Sequence, residues 1–179
     1  MSLTEAVNLT FSVLTVVGQI IIALNLAAIL FLKKSGYARL VAERVLFFSF
    51  IVALTAMTGS LIYSDVIGYE PCKLCWFQRI FMYPQVFLLA LALWKKDKNI
   101  IDYTALLSIF GAIIAGYHYL LQLGIAPDLS CGAVGYSVSC AQRFVMNFGY
   151  ITLPLMAFTA FLMILTFFFI EKKYRKNQE

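Results

Sequence analysis

The stretch Glu70–Pro84, EPCKLCWFQRIFMYP, decides how the rest of the chain reads. Two cysteines in a Cys-x-x-Cys pair, Cys72 and Cys75, stand where a polar loop turns into a long apolar segment. Arg79 follows Cys75 by four residues, one helical turn further on. Almost everything around this stretch is apolar. Two thiols and a guanidinium at the start of a greasy run are therefore the features that need a chemical reason.

Composition supplies the setting. The 179 residues are 62% hydrophobic and 13% charged, whereas a soluble domain is about half apolar and a quarter charged. Mean hydropathy is +0.86. A hydrocarbon core about 30 Å thick takes roughly 20 apolar residues of helix. Five runs meet or approach that length: Val7–Leu32, Val45–Ser64, Trp76–Trp94, Ile100–Leu121 and Phe144–Ile170. The predicted fold is an all-α polytopic membrane helix bundle. The first run is not expected to be a cleaved leader, because no Lys or Arg precedes it, its apolar stretch is too long, and Lys33-Lys34 follows it directly.

The net charge of +5 comes from short basic clusters between apolar runs, which encode membrane orientation rather than nucleic-acid binding. Lys33, Lys34, Arg39 and Arg44, then Lys95, Lys96 and Lys98, then Lys172, Lys173, Arg175 and Lys176 hold eleven of the fourteen basic residues. These segments alternate with the others along the chain, so they share one side. The positive-inside rule makes that side cytoplasmic. The N-terminus is then outside, with the loops near Asp65–Cys75 and Gln122–Arg143, and the C-terminus is inside. Asn8, Gln19 and Asn25 in the first run should face other helices, and Gly59 and Ser60 allow close helix contact. Pro84 and Pro154 are expected to kink their helices.

All four cysteines, Cys72, Cys75, Cys131 and Cys140, fall in or beside the two loops assigned outside. Thiols outside a bacterial cytoplasm tend to pair. One pair per loop is the natural grouping, although four cysteines allow three connectivities. A bridge closing so small a loop as Cys72–Cys75 stabilises little, which tilts this pair toward redox use. The alternative is a non-catalytic membrane protein with structural or zinc-binding extracellular cysteines. A four-thiolate zinc site needs four cysteines, but the second pair here has eight residues between its members rather than two.

A helix starting just after Cys75 would put its positive end beside the thiols and favour a thiolate. Arg79, on the same face as Cys75, would add a fixed cation. An arginine this far into a membrane segment should have a partner. His118, the only histidine, lies near the outer end of the fourth run, at the depth expected for Arg79. Both are expected to border one pocket.

With these residues in hand, the chain resembles the DsbB family of disulfide-generating membrane oxidoreductases, in particular its BdbC branch. The motif, Arg79 at plus four, HYLLQ at His118–Gln122 and the second cysteine pair occur in that order over about Leu46–Phe169. The related vitamin K epoxide reductase family places its Cys-x-x-Cys after the loop pair. The resemblance implies a four-helix redox domain, residues 45–179. Residues 1–44 then form an extra N-terminal transmembrane helix and a basic cytoplasmic loop. It implies that Cys72 and Cys75 are the quinone-proximal pair, with Cys75 as the thiolate in charge-transfer contact. Arg79 and His118 would bind the quinone, ubiquinone or menaquinone. Cys131 and Cys140 would exchange disulfides with a DsbA/BdbD-like thioredoxin-fold thiol oxidase, Cys131 carrying the mixed disulfide. No metal is implied. The setting would be the bacterial plasma membrane, with the redox loops on the extracytoplasmic side.

Overall fold

The computed structural model of the chain describes residues 2–31, 36–127 and 139–176. Cys131 and Lys33-Lys34 lie outside the described residues. The described part is helical: α1 (Leu3–Phe31), α2 (Gly36–Glu43), α3 (Val45–Leu61), α4 (Lys73–Lys95), α5 (Ile100–Gln122) and α6 (Leu153–Lys176). A single π-helical turn, Ile62–Val66, extends α3. All of these except the short α2 are long and apolar enough to cross a membrane, α3 together with its π turn.

The bundle is a ring of four helices with a fifth laid against it. α3 packs on α4, α4 on α5, α5 on α6, and α6 back on α3. α1 packs along α6. Without a hydrophobic drive between helices in lipid, close packing of small residues and hydrogen bonds must hold such a bundle. Both are present. Gly111 of α5 lies so near the ring of Phe161 that a Cβ there would meet Cζ at 2.2 Å. Phe161, Leu89, Val45, Ala53, Ala115 and Ile164 are wholly buried. Inside the ring, Ser108 Oγ donates to Gln85 Oε1 at 3.1 Å, and Gln85 Nε2 donates to the Phe81 carbonyl at 2.9 Å.

α1 is tied to the rest by polar bonds. Asn25 Nδ2 donates to Thr166 Oγ1 at 2.9 Å and Asn25 Oδ1 accepts from Tyr37 at 2.6 Å. Tyr150 donates to Gln19 Oε1 at 2.9 Å, and Asn147 Nδ2 donates to Ser12 Oγ at 2.8 Å. Lys173 Nζ donates to the Ile29 carbonyl. Asn25 and Gln19 thus face other elements of the bundle, as their polarity in an apolar run requires.

The elements differ from the sequence expectation in three places. The segment 33–44 is not simply a loop, since α2 occupies most of it and buries Ala38, Val41 and Ala42. The run Phe144–Ile170 is helical only from Leu153. Before that, Phe148 (φ 53°) and Gly149 (φ 79°) turn left-handed, and Asn147 and Ile151 exchange backbone hydrogen bonds at 3.0 and 2.9 Å. Hydropathy does not register such a turn. Pro154 consequently sits at the second position of α6 rather than inside a helix, where its missing N–H costs no hydrogen bond. α4 runs through Pro84 to Lys95.

Candidate functional site

The site forms where the ends of α3, α4 and α5 meet. Pro71 holds the chain extended, and Cys72 is the residue just before α4 (φ −71°, ψ 173°). Its carbonyl accepts the Trp76 N–H at 3.1 Å, so the first turn of α4 winds directly out of the motif. Cys75 therefore lies in that first turn, with its N–H groups and the positive end of the helix nearby. The two sulfurs are 3.2 Å apart and both cysteines are free thiols. Cys140 is disulfide-bonded.

His118 stands on the other side of Cys72. It is 1% exposed. Its Nε2 lies 3.7 Å from Cys72 Sγ and 3.0 Å from the Cys140 carbonyl oxygen. A carbonyl only accepts, so Nε2 carries the hydrogen. With the ring neutral, Nδ1 accepts from Gln78 Nε2 at 2.9 Å. Gln78 thereby fixes the tautomer that points an N–H at Cys72 and the Cys140 carbonyl. Cys72 and Cys140 are both buried, in one cluster with Leu74 and Leu121.

This environment acts on the Cys72 thiol, in the loop before α4. The hydrogen bond from Cys75 is the largest influence, and the His118 N–H adds to it. Together they outweigh burial and push its pKa down to about 4. These contacts favour the thiolate form of Cys72 in the reduced pair.

Arg79 is held by α3. Its Nε donates to Ser60 Oγ at 2.9 Å and a terminal nitrogen donates to the Ser60 carbonyl at 3.1 Å. The guanidinium also lies 5.2 Å over the Trp76 ring. The partner anticipated for this arginine is thus a serine and an aromatic face. Tyr83 donates to the same Ser60 Oγ at 3.2 Å.

Beside Cys75 and Arg79 opens a cavity of about 320 Å³. Cys75, Gln78, Arg79, Tyr83 and Tyr63 are at its dithiol end, and aliphatic and aromatic side chains of α1, α3 and α6 line the remainder. Tyr63 is buried, and its hydroxyl has no hydrogen-bond partner among the described residues. Sequence reasoning passed over Tyr63, because ten tyrosines in one chain make no single one conspicuous. Arg79 and His118, expected on one pocket, are separated by the cysteine pair: Arg79 lines the cavity and His118 does not.

Cys72, Cys75 and His118 also present three soft donor atoms within 4.8 Å of one another. Such a set suits a thiophilic cation, although a closed structural zinc site takes four ligands.

Fold and site define a multi-pass helical membrane protein with an adjacent dithiol and a buried histidine at one end. The chain belongs to the DsbB family: it matches the family described as disulfide bond formation protein DsbB over residues 42–170. A probable disulfide formation protein C of Halalkalibacterium halodurans is 42% identical over 125 residues, covering 68% of this chain and 88% of the relative. Disulfide bond formation protein C of Bacillus subtilis is 39% identical over 132 residues, 71% of this chain and 91% of the relative. A probable disulfide formation protein C of Bacillus cereus is 41% identical over 141 residues, 79% and 96% of the two chains. No solved structure matches the chain. Membership makes this a membrane oxidoreductase of disulfide bond formation.

Proposed function

We propose that this protein reoxidises a DsbA/BdbD-like thioredoxin-fold thiol oxidase at the outer face of a bacterial plasma membrane and passes the electrons to a membrane quinone, ubiquinone or menaquinone. One observation carries the reading. The Cys72–Cys75 pair stands between a buried, disulfide-bonded Cys140 on one side and a largely apolar cavity with a guanidinium on the other. An aqueous electron donor and a lipid-soluble acceptor would need such a boundary position. Membership of the DsbB family and the charge distribution along the chain support it.

The cavity suits a quinone by its donor set. Arg79 and the Tyr63 hydroxyl, which has no partner among the described residues, offer N–H and O–H donors to carbonyl oxygens, and the apolar walls accept a hydrocarbon tail. A bound quinone would supply a two-electron, two-proton acceptor. Arg79 would orient it, and Cys75 would face it.

The chain's own residues carry the preceding steps. A partner dithiol attacks the Cys131–Cys140 disulfide through a mixed disulfide at Cys131, leaving the partner oxidised and this pair reduced. The Cys140 thiolate then attacks Cys72 Sγ of the oxidised Cys72–Cys75 pair. The Cys72–Cys75 bond breaks and Cys75 leaves as thiolate. In that mixed disulfide Cys72 is bonded and cannot hold the charge, so Cys75 becomes the anion at the cavity. His118 holds Cys72 and the Cys140 backbone together through one N–H. Attack of the second thiol on the mixed disulfide restores Cys131–Cys140. The electron pair and two protons leave through Cys72 and Cys75 to the acceptor.

The test is loss of quinone absorbance by the purified protein supplied with a reduced DsbA-like partner. Turnover in wild type and none in Cys75→Ser is expected. No turnover with several quinones and partners would overturn the acceptor assignment. The Cys72, Cys75 and His118 donor set favours one second reading, a metal-binding protein. It predicts stoichiometric zinc in the purified protein.

A further inference from the structure

Helix α1 precedes the residues matched to the family, yet it forms one side of the cavity that reaches Cys75 and Arg79. Phe11, Leu14, Thr15, Gly18 and Ile21 line it, at spacings of three and four that put them on one helix face. From Phe11 to Ile21 the helix rises about 15 Å, half the hydrocarbon thickness. α1 is thus a wall of the cavity from Phe11 to Ile21.

A series of ring contacts borders the cavity at the dithiol end. Phe11 lies 5.7 Å from Tyr63, Tyr63 lies 6.0 Å from Tyr69, and Tyr69 lies 4.7 Å from Phe144. All four rings line the cavity, and α1 supplies the first. Its side is more open. The α1 hydrogen bonds described above run to α6, α2 and the 147–150 turn, none to α3. Against α3, contact is made by Phe11, on Gly59 and Tyr63. Below that contact Leu14 (46% exposed), Val17 (46%) and Ile51 (43%) line the cavity and also reach the bundle surface. In a membrane that surface meets lipid.

We propose that α1 and α3 frame a lateral opening to the bilayer, and that α1 is the wall holding the hydrocarbon tail of a lipid-soluble quinone. This rests on the acceptor reading above. The rings border the dithiol end, the seam admits an apolar chain from lipid, and the polar groups wait at the far end.

Two measurements on the full-length purified protein test it. The first is labelling by a quinone analogue with a photoreactive tail. Label on α1 between Phe11 and Ile21 is expected, and label confined to α3, α4 and α6 would overturn the proposal. The second compares a long-tailed quinone with a tail-less benzoquinone in Leu14→Trp and Val17→Trp, with lipid-facing Leu24→Trp as control. The two lining variants should raise KM for the tailed quinone about tenfold and leave the tail-less one within about twofold, with Leu24→Trp unchanged. An equal effect on both quinones would overturn it. Wild type that reduces neither quinone overturns the acceptor reading instead. Labelling still decides the wall in that case: α1 labelled keeps a site for lipid tails, and α1 unlabelled removes it.

Discussion

His118 Nε2 sits 3.7 Å from Cys72 Sγ, with its hydrogen shared toward the Cys140 carbonyl 3.0 Å away. One N–H therefore touches the inner cysteine pair and the backbone of an outer cysteine. A group placed there acts on exchange between the pairs. It should not act on the acceptor, because the ring is behind the cysteines and outside the cavity. His118→Ala is expected to slow turnover on the order of a hundredfold, a usual loss for a positioned proton donor, with acceptor KM unchanged. A raised KM and normal kcat would instead put His118 in the acceptor pocket.

The Cys72 thiol should titrate far below an ordinary cysteine. Hydrogen bonding from Cys75, then from His118, pushes it down to about 4. The folded value is depressed relative to the unfolded one, near 8.5. The stability linked to this group is then complete above about pH 8.5 and falls away as pH drops toward 4. Thiolate absorbance at 240 nm, in reduced protein with Cys131→Ser and Cys140→Ser, should persist from pH 8 to below pH 6. Cys75→Ala should move that titration up toward the ordinary thiol range. A titration midpoint near 8.5 in the parent would mean that the sulfur contact does not stabilise the anion.

Tyr63 carries a buried hydroxyl with no partner among the described residues. A buried polar group left unpaired costs about 1–3 kcal/mol, so Tyr63→Phe should hold or raise the melting temperature. If the hydroxyl serves a ligand carbonyl, the same variant should raise acceptor KM several-fold. A fall in melting temperature with unchanged KM would show that Tyr63 is already satisfied within the protein.

The membrane class, the five spans and the family were legible because each rests on a strong local signal. Apolar length marks a span, and Cys72, Cys75, Arg79 and His118 keep a fixed order. The turn at Phe148–Gly149 was not legible, since Asn147 and Gly149 stand among the apolar residues Val145, Met146, Phe148 and Ile151, which carry the apolar run on into the helix. Nor was the division of labour at the site. Arg79 and His118 share a depth, but which side of the cysteines each takes depends on how α3, α4 and α5 rotate about their axes. Ser60 read as a small packing residue, and its pairing with Arg79 required the register of α3 against α4.

Gly111 faces the ring of Phe161 with no room for a Cβ, at 2.2 Å from Cζ. Phe161 is wholly buried at the centre of the ring of helices and cannot swing outward. Gly111→Ala should therefore push α5 from α6 and cost about 1–3 kcal/mol, as overpacking does. Unfolding in detergent, followed by loss of helical signal, measures it. An unchanged midpoint would mean that the two helices separate without penalty.

Arg79 lies within the span of α4, and among the described residues no carboxylate pairs with it. Of its five N–H donors, two are spent on Ser60. The cation leans on Trp76 and borders the cavity. Ser60 thus fixes the plane of the guanidinium and leaves its other donors for an occupant. Lysine could keep the charge but not hold Ser60 with a planar fork while reaching the cavity. Both Arg79→Ala and Arg79→Lys should then raise acceptor KM by roughly tenfold or more, a loss of binding rather than of chemistry. Single-turnover exchange between a reduced partner and the cysteine pairs should be unaffected. If Arg79→Lys keeps the wild-type KM, charge alone suffices and the Ser60 contact is only packing. If both variants keep it and only lose stability, the arginine serves the bundle and not the acceptor.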